Sequence, residues 1–424
     1  MRLQLVSVIL SVVLTSSLVS ASPVPQPDSK TMSPAKGKSV GAAYFLTNEP
    51  NGNFVVAADI GTDGKLNLRR AIDAGGLGAH GQPDNNGPDG LFSQGSIKAS
   101  KSGKVLVTVN PGSSTLSSFK IDPNDPTALR MIGKPVSSDG QFPISVALNK
   151  DGNMACAVNG GAINGVSCYS IDQQKGLVPI QNTVRSLGLN QTTPATGPAG
   201  SASQVVFTED GNRLVVSVKG VPPQPGFFAV WDVQADGSLS ENFQSIAPAK
   251  GGLLPFSMTV IPGKNAIFAT DAGIGFDIFD LAAAGSSQGQ NSTATGDRSS
   301  SNAIDGQVAT CWSTFSPSTG NFYLTDIGTS TITEVNLDDN LAAKIVKQYP
   351  QTQQSATIDL DIASVGSTDF LYVLAANATT IDVLSLDGPG QANNVQKLDI
   401  SGPARAAGLQ ISGSNLQGMT VFLK

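Results

Sequence analysis

"KDGNMACAVNGGAINGVSCYSID", residues 150–172, decides the fold. A Lys-Asp-Gly-Asn turn leads into a short apolar run, then a loop of Gly, Asn and Ala, then a second β-rich run. Gly and Asn suit tight hairpins because they accept positive φ at low cost. The same turn-and-run unit recurs as "KSGKVLVTVN", "EDGNRLVVSV", "IPGKNAIFAT", "STGNFYLTDI" and "VGSTDFLYVLAAN". Its glycines are Gly103, Gly152, Gly211, Gly263, Gly320 and Gly366, with successive spacings of 49, 59, 52, 57 and 46.

Each unit carries an apolar run before the turn ("ISVALN", "SQVVFT", "TCWSTF") and a third run after it ("SSFKID", "FDIFDL", "ITEVNL"). Fragments such as "ALRMIG", "LVPIQN" and "AKIVKQ" supply a fourth. Four short strands per unit of about 50 residues is the pattern of a β-propeller blade. Six units occupy about 92–400. Upstream, "GAAYFLTN", "NFVVAADI" and "KLNLRRAI" give three strands, and the C-terminal "QGMTVFLK" is one spare strand. Pairing the spare with the three completes a seventh blade and removes the exposed edges of an open array. The expectation is an all-β, seven-bladed β-propeller closed by its two ends, with a six-bladed ring and an irregular end as the alternative. The low-complexity stretch 282–306 is expected to replace the fourth strand of its blade with a flexible loop.

The N-terminus bears on the compartment. Arg2, the apolar stretch Leu3–Leu14 and the small residues Val19-Ser20-Ala21 form the pattern of a secretory signal peptide. The expected division is 1–21 signal peptide, 22–40 Pro/Ser-rich linker and 41–424 a single propeller. No later stretch reaches the roughly 20 apolar residues of a membrane span. Asn190, Asn291 and Asn377 head N-x-S/T sequons. Together these point to a secreted glycoprotein, extracellular or in a cell wall, and to a monomer.

Charged residues make up only 14% of the chain and its net charge is −6. Typical domains carry about 25% charged residues, and an acidic balance argues against a nucleic-acid partner.

Cys156 and Cys168 present three readings: a metal clasp, a redox pair or a staple. Each lies six residues from Ala162, the centre of the loop Asn159–Gly165, so a symmetric hairpin places them opposite one another. Facing residues of antiparallel strands are close enough to be bridged, and an oxidising compartment favours a disulfide. A metal would need further ligands, and the chain has one His. The staple is the expected outcome, worth about 3 kcal/mol on the entropic account. Cys311 is left as a buried free thiol.

The segments "SGKVLVTVNPGSSTLSSFKID", "FPISVALNKDGNMACAVNGG", "GVSCYSID" and "CWSTFSPSTGNFYLTDIGT" resemble the lactonase-like seven-bladed propellers. That family contains fungal 3-carboxymuconate-lactonizing enzyme and 6-phosphogluconolactonase. Within it the chain looks most similar to the secreted fungal proteins called 3-carboxymuconate cyclase. The resemblance implies a cycloisomerase or lactonase acting on small carboxylates, with a His, Arg and Glu set above the central channel and no cofactor. The chain departs from that pattern. Where relatives carry Pro-x-His at the start of a first strand, it reads "SQGSIKAS", "FPISVALN" and "LPFSMTV"; Pro143 and Pro255 match, but no His follows.

His80, in "GGLGAHGQPDNNGPDG", and Arg185 are therefore the catalytic candidates. The last residues of the second strands form a second candidate set, a polar ring at one end of the channel: Asn48, Asn110, Asn159, Lys219, Asp271, Asp326 and Asn377. Asn and Asp also start tight turns for purely local reasons. Arg298 and Arg405, in connections between blades, are further anion-binding candidates, while Glu209 should lie on the opposite face. A ring of Asp and Asn could hold Ca²⁺, but no spacing demands a metal, and none is expected.

Two functions stay open. One is a surface or ligand-binding propeller with a degenerate catalytic site, taking host matrix or glycan. The other is an active enzyme acting on a small carboxylate or lactone such as 3-carboxy-cis,cis-muconate.

Overall fold

The computed structural model describes residues 28–34, 37–83, 87–283 and 297–424. The signal peptide and Asn291 lie outside the described residues. Seven antiparallel sheets form the seven blades. Running from channel to rim, blade 2 comprises Ile97–Ser100, Val105–Asn110, Thr115–Asp122 and Asp125–Met131. The inner strands of blades 3 to 7 are Pro143–Leu148, Ala202–Phe207, Pro255–Val260, Thr310–Ser316 and Thr357–Val365.

Blade 1 closes the ring. Its inner strand, Gln417–Leu423, comes from the C-terminus and pairs with Ser39–Leu46, Ala43 facing Val421. The expected pairing of the two chain ends is what the structure contains. Two expectations need correction. Ser29–Thr31, read as linker, adds a fifth strand to blade 1 by pairing with Leu66–Asp73, and Ser39 and Val40 already belong to the sheet. Blade 5 does possess a fourth strand, Ser300–Ala303, on Gly275–Asp280. Both pieces are too short and too polar to carry a β signal in sequence.

Burial explains why some strands were legible. Second strands such as Val105–Asn110 and Met154–Asn159 are buried at every position, because neighbouring blades cover both faces. The outer strands Ala343–Pro350 and Ala392–Asp399 are largely open to solvent and correspondingly polar. Tyrosine hydroxyls tie blades together: Tyr44 donates to the Pro126 carbonyl at 2.7 Å, and Tyr372 to that of Gly64 at 2.9 Å. Trp312 of blade 6 meets Phe256 of blade 5 edge-on, with centroids 5.1 Å apart. The turn glycines Gly152, Gly211, Gly263, Gly320 and Gly366 sit at φ between 65° and 72°, the left-handed conformation that glycine adopts without strain.

Cys156 faces Cys168 in the register of blade 3 and is disulfide-bonded to it, with the Cα atoms 4.0 Å apart. Cys311 is free and buried. No helix among the described residues is long and apolar enough to cross a membrane.

Candidate functional site

Second-to-third-strand loops and the connections between blades share one end of the ring, here the connection face. First-to-second-strand turns mark the other end, the hairpin face. The candidate ring lies on the connection face, but its side chains are spent on the local backbone. Asp326 accepts from the Val308 and Ala309 amides at 2.8 and 3.1 Å and from those of Gly328 and Thr329, both at 2.9 Å. Asp271 accepts from Leu253 at 2.6 Å and Gly273 at 2.8 Å. Asn48 exchanges hydrogen bonds with the backbone of Ala79. Asn110 donates to Ser117 and Thr115, and Asn159 pairs with Ser138. All five are buried, whereas Asn377 is exposed. These residues hold each connection to the end of a second strand, and turn chemistry is enough to account for their recurrence.

Lys219 is the exception. Only 2% exposed, it donates to the carbonyls of Phe92 at 2.7 Å and Ala202 at 2.9 Å, and its Nζ lies 4.7 Å from the centre of the Phe256 ring. Phe92 belongs to the connection from blade 1 to blade 2, and that connection fills the channel. Ser93 Oγ donates to Ile144 O of blade 3 at 2.9 Å. Gln94 and Ser313 of blade 6 bond each other twice, Nε2 to O at 2.9 Å and N to Oε1 at 3.1 Å. Trp312 Nε1 donates to Ser93 O at 3.1 Å, and Gln417 of blade 1 donates to Asp89 at 2.9 Å. A segment bonded to blades 1, 3, 4 and 6 spans the ring. Leu91, Ser93 and Ser96 are at most 1% exposed. We call Asp89–Ser96 the plug.

Its surroundings are buried and charged. Burial raises the Asp89 carboxyl above its ordinary range against the hydrogen bonds of Gln417 and Ser93 and the charge of Lys219. Burial likewise lowers the Lys219 ammonium, opposed by Asp89. Asp359 of blade 7 is pushed up to about 7 by burial, although the amide of Gly418 donates to it at 2.6 Å. The Cys311 thiol is also driven up by burial, with the nearby Asp89 charge adding to it, so it is a poor nucleophile.

His80 sits above the plug. Its ring nitrogens lie 2.9 Å from the carbonyls of Gly81 and Gly87. A side chain at Gly90 would strike the His80 ring, so that glycine lets the imidazole lie against the plug. The loop also reaches the connection from blade 3 to blade 4, where Gln82 N donates to Ala195 O at 2.7 Å and Gly197 N to Gln82 O at 2.9 Å.

Arg185 does not join it. Arg185 pairs with Val166, in the third strand of blade 3, and its guanidinium donates to the carbonyls of Ser240 and Leu239, both at 2.7 Å, and of Val184 at 2.9 Å. Those bonds join blades 3 and 4 away from the channel. Arg298 lies on the hairpin face, where it clasps Asp280 at 2.8 and 3.2 Å; the connection was expected to keep it on the other. Arg405 is exposed on the short helix Ser401–Ala406. Glu209 accepts from Gly263 N at 2.9 Å on the hairpin face, as expected.

Sequence reading missed Asp89, Gln94, Asp359 and Gln417. The one available signal was the length of the Gly-rich connection between Asp73 and Ile97, which is more than a turn needs.

Residues 38–194 match a family model described as lactonase, 7-bladed beta-propeller. The match covers blades 1 to 3, less than half of the chain. No curated protein matches. Among solved structures, a candidate 6-phosphogluconolactonase from Bacteroides fragilis superposes with a TM-score of 0.60 at 13% identity, over 92% of this chain and 100% of that one. The periplasmic gluconolactonase of Pseudomonas aeruginosa gives 0.59 at 17% identity, over 85% and 96%. At such identities the likeness is one of fold. The chain is a lactonase-like seven-bladed β-propeller.

Proposed function

We propose that this protein is a secreted, ligand-binding propeller whose connection face has lost the chemistry of its enzymatic look-alikes. The observation that carries the reading is the plug. A dicarboxylate or sugar lactone entering from the connection face would need cationic groups near the channel and a proton donor beside them. Lys219 is enclosed beneath Phe92 and Arg185 is committed to three carbonyls. Secretion is supported by the leader-like N-terminus and the disulfide, and glycosylation by the exposure of Asn190 and Asn377.

The second reading is a lactonase or cycloisomerase, including the 3-carboxymuconate cyclase subgroup. The family match over 38–194 favours it. The test offers 3-carboxy-cis,cis-muconate, δ-gluconolactone and 6-phosphogluconolactone to the purified protein. The first reading expects no loss of diene absorbance and no lactone hydrolysis above buffer. Turnover abolished by His80→Ala or Lys219→Met would establish the second.

A further inference from the structure

The connection face is filled by the plug, and the hairpin face is built differently. On the hairpin face a cavity of about 420 Å³ remains, lined by the inner strands of blades 2, 3 and 4 and the turns that follow them. That volume falls within the ~300–1,000 Å³ range of small-molecule sites. Its walls are apolar: Val146, Leu148, Val205 and Phe207. Two lysines, Lys98 and Lys150, contribute to its lining.

Lys98 is half-buried, yet among the described residues its ammonium makes no hydrogen bond or ion pair. Withdrawing such a charge from water without a partner is costly. Its charge reaches Asp359 and Asp361, lowering both carboxyls against their burial, but neither is within ion-pair distance and both spend oxygens on backbone amides. Asp361 takes the amides of Val421 at 3.0 Å and Ile362 at 2.8 Å, and Asp359 takes that of Gly418 at 2.6 Å. Gly95, at the end of the plug, makes room for the lysine: an added Cβ would lie 3.3 Å from Lys98 Cε and 2.9 Å from Ser145 Oγ. Glu209 stands on the turn after Phe207 and leaves an acidic group at the rim.

We infer that this cavity binds a small organic carboxylate from the hairpin face, the carboxylate on Lys98 and an apolar body against Val205 and Phe207. The inference deepens the ligand-binding reading and rests on it only in that the ligand is held and not converted.

The experiment measures affinity by calorimetry and saturation-transfer NMR, with hexanoate and benzoate as probes and hexanamide and benzamide as uncharged controls. The parent protein should bind the acids at least about tenfold more tightly than the amides. Lys98→Met should abolish that preference, Lys98→Arg should keep it, and Lys264→Ala, on a neighbouring turn, should leave it unchanged. Equal binding of acid and amide, binding indifferent to Lys98→Met, or no binding by either method overturns the site. None of these outcomes touches the non-catalytic reading, which is tested separately by the turnover assay.

Discussion

Gln94 and Ser313 hold one another across the channel by two hydrogen bonds, side-chain amide to backbone, at 2.9 and 3.1 Å. Gln94 comes from the connection into blade 2 and Ser313 from the inner strand of blade 6, so the pair works as a crossbar. Replacing Gln94 with Ala strands a buried N–H and a buried C=O of Ser313. An unsatisfied buried group costs about 1–3 kcal/mol, so Gln94→Ala should lose about 2–4 kcal/mol in urea unfolding. A loss below about 0.5 kcal/mol would mean that the plug is not held there.

Lys219 and Arg405 should separate sharply. Lys219→Met removes the charged donor to the Phe92 and Ala202 carbonyls, leaving Phe92 only the longer bond from Ser203 Oγ at 3.3 Å, and should destabilise by about 1–3 kcal/mol. Arg405→Ala, on an exposed helix, should stay within about 0.5 kcal/mol of the parent. Unfolding midpoints measured side by side decide this.

The disulfide closes a separation of 12 residues inside one hairpin. Cys156→Ser with Cys168→Ser should lower stability by about 2–3 kcal/mol while leaving the circular dichroism of the fold intact. Thiol titration should find Cys311 unreactive in the native parent and reactive after unfolding without reductant, since it is the free cysteine and is buried.

Asp359 makes stability depend on pH in a definite direction. Its carboxyl titrates at about 7 in the folded protein because burial disfavours the charge. The unfolded chain titrates near ~4. The folded state therefore binds the proton more tightly. This contribution is fully present below the unfolded value and is lost as pH rises through the folded one. Between about pH 4 and 7 the contribution should fall by up to about 1.4 kcal/mol per pH unit, and Asp359→Asn should flatten that part of the curve. Parallel curves for parent and variant would show that Asp359 is ionised in the folded protein.

Much of the architecture was legible because each blade repeats one physical problem. Second strands are covered on both faces and read as unbroken apolar runs, while turns at positive φ call for Gly. The ends of the chain could be paired because an odd strand is left over at each side. What escaped reading was governed by long-range contact. Asp89–Ser96 is rich in Gly and Ser and has no periodicity, so it looks like loop although it is among the most buried segments. Asn110, Asp271 and Asp326 recur at strand ends, and recurrence alone cannot distinguish a ligand ring from a hydrogen-bonded turn; only their partners can. Ser300–Ala303 forms a strand because Gly275–Asp280 offers a free edge, despite its low β propensity.

The central claim is that the channel is shut from the connection face, and hydrogen exchange on the intact protein tests it most directly. Phe92 N donates to the Asp89 carbonyl and Ser93 N to the Asp89 carboxylate, both at 3.2 Å, beneath the loop that carries His80. The account predicts that amides from Leu91 to Ser96 exchange as slowly as the inner strand Pro143–Leu148. Exchange at the rate of an exposed turn such as Asp236–Ser238 would contradict it, leaving the channel open and the catalytic reading restored.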